Sequence, residues 1–179
     1  TQPHHPNTRG FDDFYGFLGG GHMYFPERYQ GIYERQSRTG KKYTNEYVLP
    51  LEHNGKKVRE TEYLTDAFSR EAVRFIQEAA GKDQPFFLYL AYNAPHWPLQ
   101  PKLADYKKYE GKYTEGWEAL MKTRLAKQKA IGLFENDIVP APHVGPKWDS
   151  LTDRQRSDLD KIMAAYAGCI DSIDQNVGK

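Results

Sequence analysis

Six histidines, one cysteine and an adjacent aspartate pair are the side chains of this 179-residue chain best suited to proton transfer, nucleophilic attack or metal binding. His96 stands in AYNAPHWPLQ, between Pro95 and Pro98 and just past the apolar run PFFLYLAY at 85–92. Histidine exchanges protons near neutral pH, so a loop His held between prolines is a candidate acid or base. Ligands of open α/β sheets bind beyond the carboxyl ends of the strands, where His96 is expected to lie. The plainer alternative is a structural loop His whose ring caps a carbonyl. His22 follows GFLGGG at 16–21. Glycines let backbone and ligand approach closely, which makes His22 a candidate substrate contact. The spacing matches neither a dinucleotide fingerprint nor a P-loop, so a flexible turn is the competing reading.

The remaining candidates carry less. Asp12 and Asp13 are adjacent, and neighbours on an extended chain point to opposite sides, a poor chelate. His4 and His5 lie near the terminus, where order is least expected. Cys169 falls on or beside the apolar face of an expected helix, as an inert buried thiol does. A single cysteine excludes an internal disulfide and a cysteine-based zinc site. No nucleophile elbow, H-E-x-x-H or EF-hand loop occurs, and no metal ligand is assigned within the chain.

These side chains need elements to place them. Gly and Pro punctuate residues 1–45 densely enough to predict loops and turns. NEYVLPLEHNGKKVRETEYL predicts a hairpin turning at Asn54-Gly55, a dipeptide that accepts the positive φ angles of a type I′ turn, with Pro50 confining the first arm to an edge. YLTDAFSREAVRFIQEAAGK predicts a helix with Phe68, Ala72, Phe75, Ile76 and Ala79 inward, capped by Thr65 and closed by Gly81. PFFLYLAY, apolar on both faces, predicts a buried central strand. Beyond it come a weak helical turn at 102–111, and a helix from Thr114 to about Ile131 with Trp117, Leu120, Met121, Leu125 and Gln128 on one stripe. A Pro-rich linker at 133–149 follows. Thr152 to Gln155 is a capping box opening a final helix faced by Leu159, Ile162, Met163, Tyr166, Ile170, Ile173 and Val177. A lone buried strand leaves backbone groups unpaired on both sides, so its sheet neighbours are expected outside these elements. The fold class is therefore α/β, helix-rich with one buried strand, and the chain reads as the middle of a larger domain. An isolated chain is expected to associate through the unpaired sheet edge.

The balance of 25 Lys+Arg against 24 Asp+Glu argues against a broad nucleic-acid or anionic-membrane surface, which needs a basic excess. The longest apolar run is too short to span a membrane. Aromatics make up 14%, including 13 Tyr, and rings with one wet edge suit sugar or aryl ligands as well as packing.

In order along the chain, RGFDDFYGFLGGGHMYF, the N-G hairpin, YLTDAFSREAVRFI and QPFFLYLAYNAPHWPLQ resemble the formylglycine-dependent sulfatases of the arylsulfatase type. YTEGWEALMKTRLAKQKAIGLF and AAYAGCIDSIDQNVGK extend the resemblance to essentially the whole chain. It implies an alkaline-phosphatase-like α/β/α sandwich and hydrolysis of aryl or carbohydrate sulfate esters. It further implies calcium and a formylglycine made from the cysteine of a Cys-x-Pro-x-Arg motif, and periplasmic or secreted location, with lysosomal or secretory location as the alternative. Only His96 matches the family's sulfate-contacting His, which assists the leaving group. No Cys-x-Pro-x-Arg is present, because Cys169 is followed by Ile-Asp-Ser-Ile. Residues 1–179 are thus expected to form the middle segment of a sulfatase catalytic domain, without its nucleophile and metal ligands and inactive alone. A phosphoesterase or phosphonate hydrolase of the same superfold, and a non-catalytic interaction module, are the alternatives.

Overall fold

In the computed structural model, residues 3–39 and 48–179 are described. The chain divides into two units, one of residues 1–101 and 169–179, the other of 102–168.

The first unit is built around three two-residue strands: β1 (Tyr15–Gly16), β2 (Glu52–His53) and β3 (Lys56–Lys57), antiparallel in that order. Tyr15 faces His53, and Glu52 faces Lys57. Asn54 (φ 50°) and Gly55 (φ 80°) both take positive φ, as the type I′ reading requires. Asn54 also ties the turn to β1: its N–H donates to the Phe14 carbonyl at 3.0 Å, and its Oδ1 accepts the Phe14 N–H at 2.8 Å. The first hairpin arm is therefore the central strand and not an edge. Pro50 stands two residues before the ladder, so its missing N–H removes no pairing. Positions 45–47 of that arm lie outside the described residues.

One helix departs from the loop expectation. Helix α1 (Pro26–Thr39) starts with proline at its first position and Glu27 in its first turn, both favourable at a helix N-terminus. Tyr29 and Tyr33, four apart, share its inward face. Helix α2 (Leu64–Ala80) matches its prediction in extent, but Thr65 lies inside the first turn and Tyr63 takes the N-cap. Its buried residues cluster in the first half, while Val73 and Ile76 are exposed. Two apolar clusters result. One joins Tyr29, Leu51, Leu64 and Phe68, and the other joins Tyr24, Tyr63, Ala94 and Cys169.

The run 85–92 differs most from expectation. It joins no ladder among the described residues, and Phe87 and Tyr89 are 78% and 72% exposed. Within this chain it is an uncovered segment and not a buried strand. No strand among the described residues pairs with it.

The second unit holds α3 (Leu103–Lys107), α4 (Gly116–Ala130) and the first part of α5 (Asp153–Val177). The α4 stripe of Trp117, Leu120, Met121, Leu125 and Gln128 is half-buried, as predicted. Gly116 (φ +83°) meets the Trp148 ring so closely that an added Cβ would lie 2.2 Å from Cγ. Trp148 Nε1 donates to the Thr114 carbonyl at 3.1 Å. Buried Asp160 accepts the N–H groups of Gly111 (3.1 Å) and Tyr113 (2.8 Å). The linker 133–147 is exposed throughout.

Helix α5 opens with the predicted capping box: Thr152 N–H donates to Gln155 Oε1 at 2.9 Å, and Gln155 N–H returns to Thr152 Oγ1 at 3.3 Å. Its buried stripe, however, is Asp160, Ala164, Ala167, Cys169, Ser172 and Asn176. From the predicted face, Ile162, Tyr166, Ile170 and Val177 are exposed, while Ile173 packs on the cluster around Cys169. Small side chains admit close approach on one side, and the larger apolar stripe is left facing outward.

Candidate functional site

His96 is exposed and lies on a loop whose backbone is held from within the protein. Its N–H donates to the Asn93 carbonyl at 2.8 Å. Its carbonyl accepts the Tyr24 hydroxyl at 2.8 Å, and the same hydroxyl lies 3.3 Å from the Asn93 carbonyl. The ring is fixed too: Nδ1 lies 2.6 Å from the Trp97 carbonyl. A carbonyl only accepts, so Nδ1 carries the hydrogen. The neutral ring is then the Nδ1–H tautomer with its lone pair on Nε2.

The loop is anchored at its far end as well. Tyr63 donates its hydroxyl to the Gln100 carbonyl at 3.0 Å, and Gln100 Oε1 accepts the Tyr24 N–H at 3.0 Å. The Tyr24 and Tyr63 rings are stacked, 5.7 Å between centroids. Burial, and next the Cys169 thiol, push both phenols above their ordinary value, so both remain donors. Neither tyrosine stood out in the sequence. Only their long-range pairing with 93–100 marks them, and no local motif records it.

His22 sits elsewhere in the same unit and in a different state. It is 2% exposed, packed between Phe17 (4.8 Å) and Tyr29 (4.6 Å). Nδ1 donates to the Met23 carbonyl at 2.6 Å, and Nε2 pairs with the Tyr33 hydroxyl. Burial lowers its pKa, outweighing the hydrogen bond to Met23. In this arrangement the His22 ring is enclosed by the aromatic cluster. Its carbonyl does touch the His96 loop, accepting Asn93 Nδ2 at 3.3 Å.

Asp13 and Cys169 take part in contacts within the first unit. Asp13 accepts His53 Nε2 at 2.7 Å and Asn54 Nδ2 at 2.8 Å, which staples the hairpin. His5, near the terminus, is nonetheless buried, pairing with Glu52 through Nε2 and accepting the Asn7 N–H on Nδ1 at 3.2 Å. Among the described residues no three His, Cys, Asp or Glu side chains gather where a cation could be held. Cys169 is fully buried beside Tyr24 and Tyr63, in no disulfide.

The family model described as Sulfatase matches residues 2–179. An uncharacterised sulfatase of Schizosaccharomyces pombe is 32% identical over 100% of this chain and 32% of its own length. The arylsulfatase of Klebsiella aerogenes is 30% identical over 97% of this chain and 36% of its own length. Among solved structures, Ps i-CgsB, crystallised alone and in complex with k-i-k-neocarrahexaose, is 43% identical with a TM-score of 0.64. That match covers 99% of this chain and 29% of the other. The chain therefore spans about a third of the length of these relatives. With the family model matching residues 2–179 and these relatives aligned over nearly all of the chain, the chain belongs to the sulfatase family, of alkaline-phosphatase-like fold.

Proposed function

We propose that this chain is a middle segment of the catalytic domain of a sulfuric ester hydrolase acting on aryl or carbohydrate sulfates, and that His96 serves its leaving group. The observation that carries the reading is the exposed His96 ring oriented by the Trp97 carbonyl at 2.6 Å. In hydrolysis the S–O bond breaks, water supplies the new oxygen on sulfur, and the departing oxygen takes a proton. Because Nδ1–H is committed to Trp97, the ring donates from Nε2 of its protonated form and relaxes to the neutral Nδ1–H tautomer. That places a donor where negative charge develops as the bond breaks. Calcium and formylglycine, expected from the family, would be held by parts of the parent outside residues 1–179. A sulfated oligosaccharide is the substrate class favoured by the likeness to Ps i-CgsB in complex with k-i-k-neocarrahexaose. The family's habit supports a secreted or periplasmic location. No helix among the described residues is long and apolar enough to cross a membrane. The isolated chain forms homo-oligomers through its uncovered 85–92 segment.

The test uses the full-length parent. His96→Ala should lower kcat on a sugar or alkyl sulfate by about 100-fold or more, the usual scale of general-acid catalysis. It should cost 4-nitrophenyl sulfate far less, since nitrophenolate departs without a proton. Equal losses on both substrates, or no loss, would refute the role given to His96.

A further inference from the structure

We infer that Tyr24 and Tyr63 are positioning residues for His96, a two-tyrosine clamp that holds the 93–100 loop at the distance and angle leaving-group protonation needs. This rests on the reading of His96 as the leaving-group donor. Tyr24 is fully buried and Tyr63 is 7% exposed, so neither touches substrate. Each directs its hydroxyl at a carbonyl of the loop, Tyr24 at His96 itself and Tyr63 at Gln100. Gln100 closes the circuit by accepting the Tyr24 N–H, so the two ends of the loop are tied to one stacked ring pair. The stack is backed by Ala94 and Cys169, the former from the loop and the latter from α5.

The geometry separates two tasks. The Trp97 carbonyl sets the ring's tautomer and orientation, while the Tyr24 hydroxyl fixes the backbone on which that ring swings. The loop's internal bond, His96 N–H to Asn93, closes a turn but does not tie that turn to the rest of the unit. Asn93 Nδ2 reaches the His22 carbonyl only at 3.3 Å. Removing the Tyr24 hydroxyl therefore deletes a hydrogen bond that holds the His96 backbone to the buried cluster, and leaves the ring stack in place. Small displacements of an acid from its near-attack position are costly in rate even when binding is unchanged.

The experiment is a double-mutant cycle in the full-length parent, with kcat and KM measured on an alkyl or sugar sulfate and on 4-nitrophenyl sulfate. Tyr24→Phe should lower kcat on the poor leaving group by about tenfold, from misplacement of the acid. KM and the nitrophenyl rate should move little. In a His96→Ala background Tyr24→Phe should cost nothing more, because a residue acting through another loses its effect when that other is gone. Tyr63→Phe, which frees the Gln100 end, should show the same pattern more weakly, and it serves as the second variant if Tyr24→Phe folds poorly. Three results would overturn the clamp: a full additional loss in the His96→Ala background, an equal loss on both substrates, or wild-type kcat in Tyr24→Phe while His96→Ala is impaired. If His96→Ala itself is unimpaired, the leaving-group reading fails and the clamp with it.

Discussion

Among single residues, burial sets the two candidate histidines apart. His22 and His96 both follow small or constrained residues in the sequence, yet one is sealed among aromatic rings and the other is exposed. The buried groups make the protein acid-sensitive in two stages. Folding lowers the pKa of His22 below its ordinary 6.5, so the unfolded chain binds that proton first. Its contribution is complete above pH 6.5 and declines as pH falls below it. Burial raises Glu60, but hydrogen bonds from Arg70, Tyr15 and the N–H groups of Glu62 and Thr61 reverse this and hold it down to about 2. Its contribution is complete above its ordinary 4.5 and is lost between there and about 2. Urea midpoints of the 179-residue chain should therefore fall from pH 7.5 to 5.5 and again below 4.5, with Glu60→Gln removing the lower stage. A midpoint flat across both windows would contradict this assignment.

Between elements, the informative cases are those where a local rule met a tertiary partner. The hairpin turn and the α5 capping box were legible because each is satisfied within four residues, by φ angles at Asn54-Gly55 or by Thr152 and Gln155. Helix α1 was obscured by the glycines and prolines around it, although Tyr29 and Tyr33 carried its spacing. The inward face of α5 was misread because hydrophobicity marks what must be covered and does not say by which neighbour. In the second unit, Gly116 is irreplaceable for two reasons at once, its positive φ and the Trp148 ring beneath it. Gly116→Ala should destabilise the chain by about 1–3 kcal/mol, as overpacking does. Tryptophan fluorescence during denaturation would measure the change, and an unchanged midpoint would mean that the Trp148 ring can move aside.

Over the whole molecule, apolar surface is left uncovered in amounts a lone chain does not tolerate well. Phe86, Phe87 and Tyr89 are more than half exposed, and Ile162, Tyr166 and Ile170 line the outward stripe of α5. Extended apolar segments without a ladder invite pairing with another chain. Sedimentation of the isolated chain should show concentration-dependent association, weakened by Phe87→Lys. A monomer at every concentration, unaffected by that substitution, would show that these surfaces do not self-associate. The chain spans about a third of its relatives' length.

By itself the sequence determined the turn at Asn54-Gly55, the extents of α2 and α4, the start of α5, and the apolar run that ends in APHWP. Each of these follows from spacing and capping, interactions that close within a few residues. Tertiary structure alone decided that His22 is sealed by Phe17 and Tyr29, and that α5 turns its small residues inward. It also tied His96 to Tyr24, 72 residues away. Contacts across that separation depend on which surfaces the folded chain brings together, and no local pattern of residues encodes them.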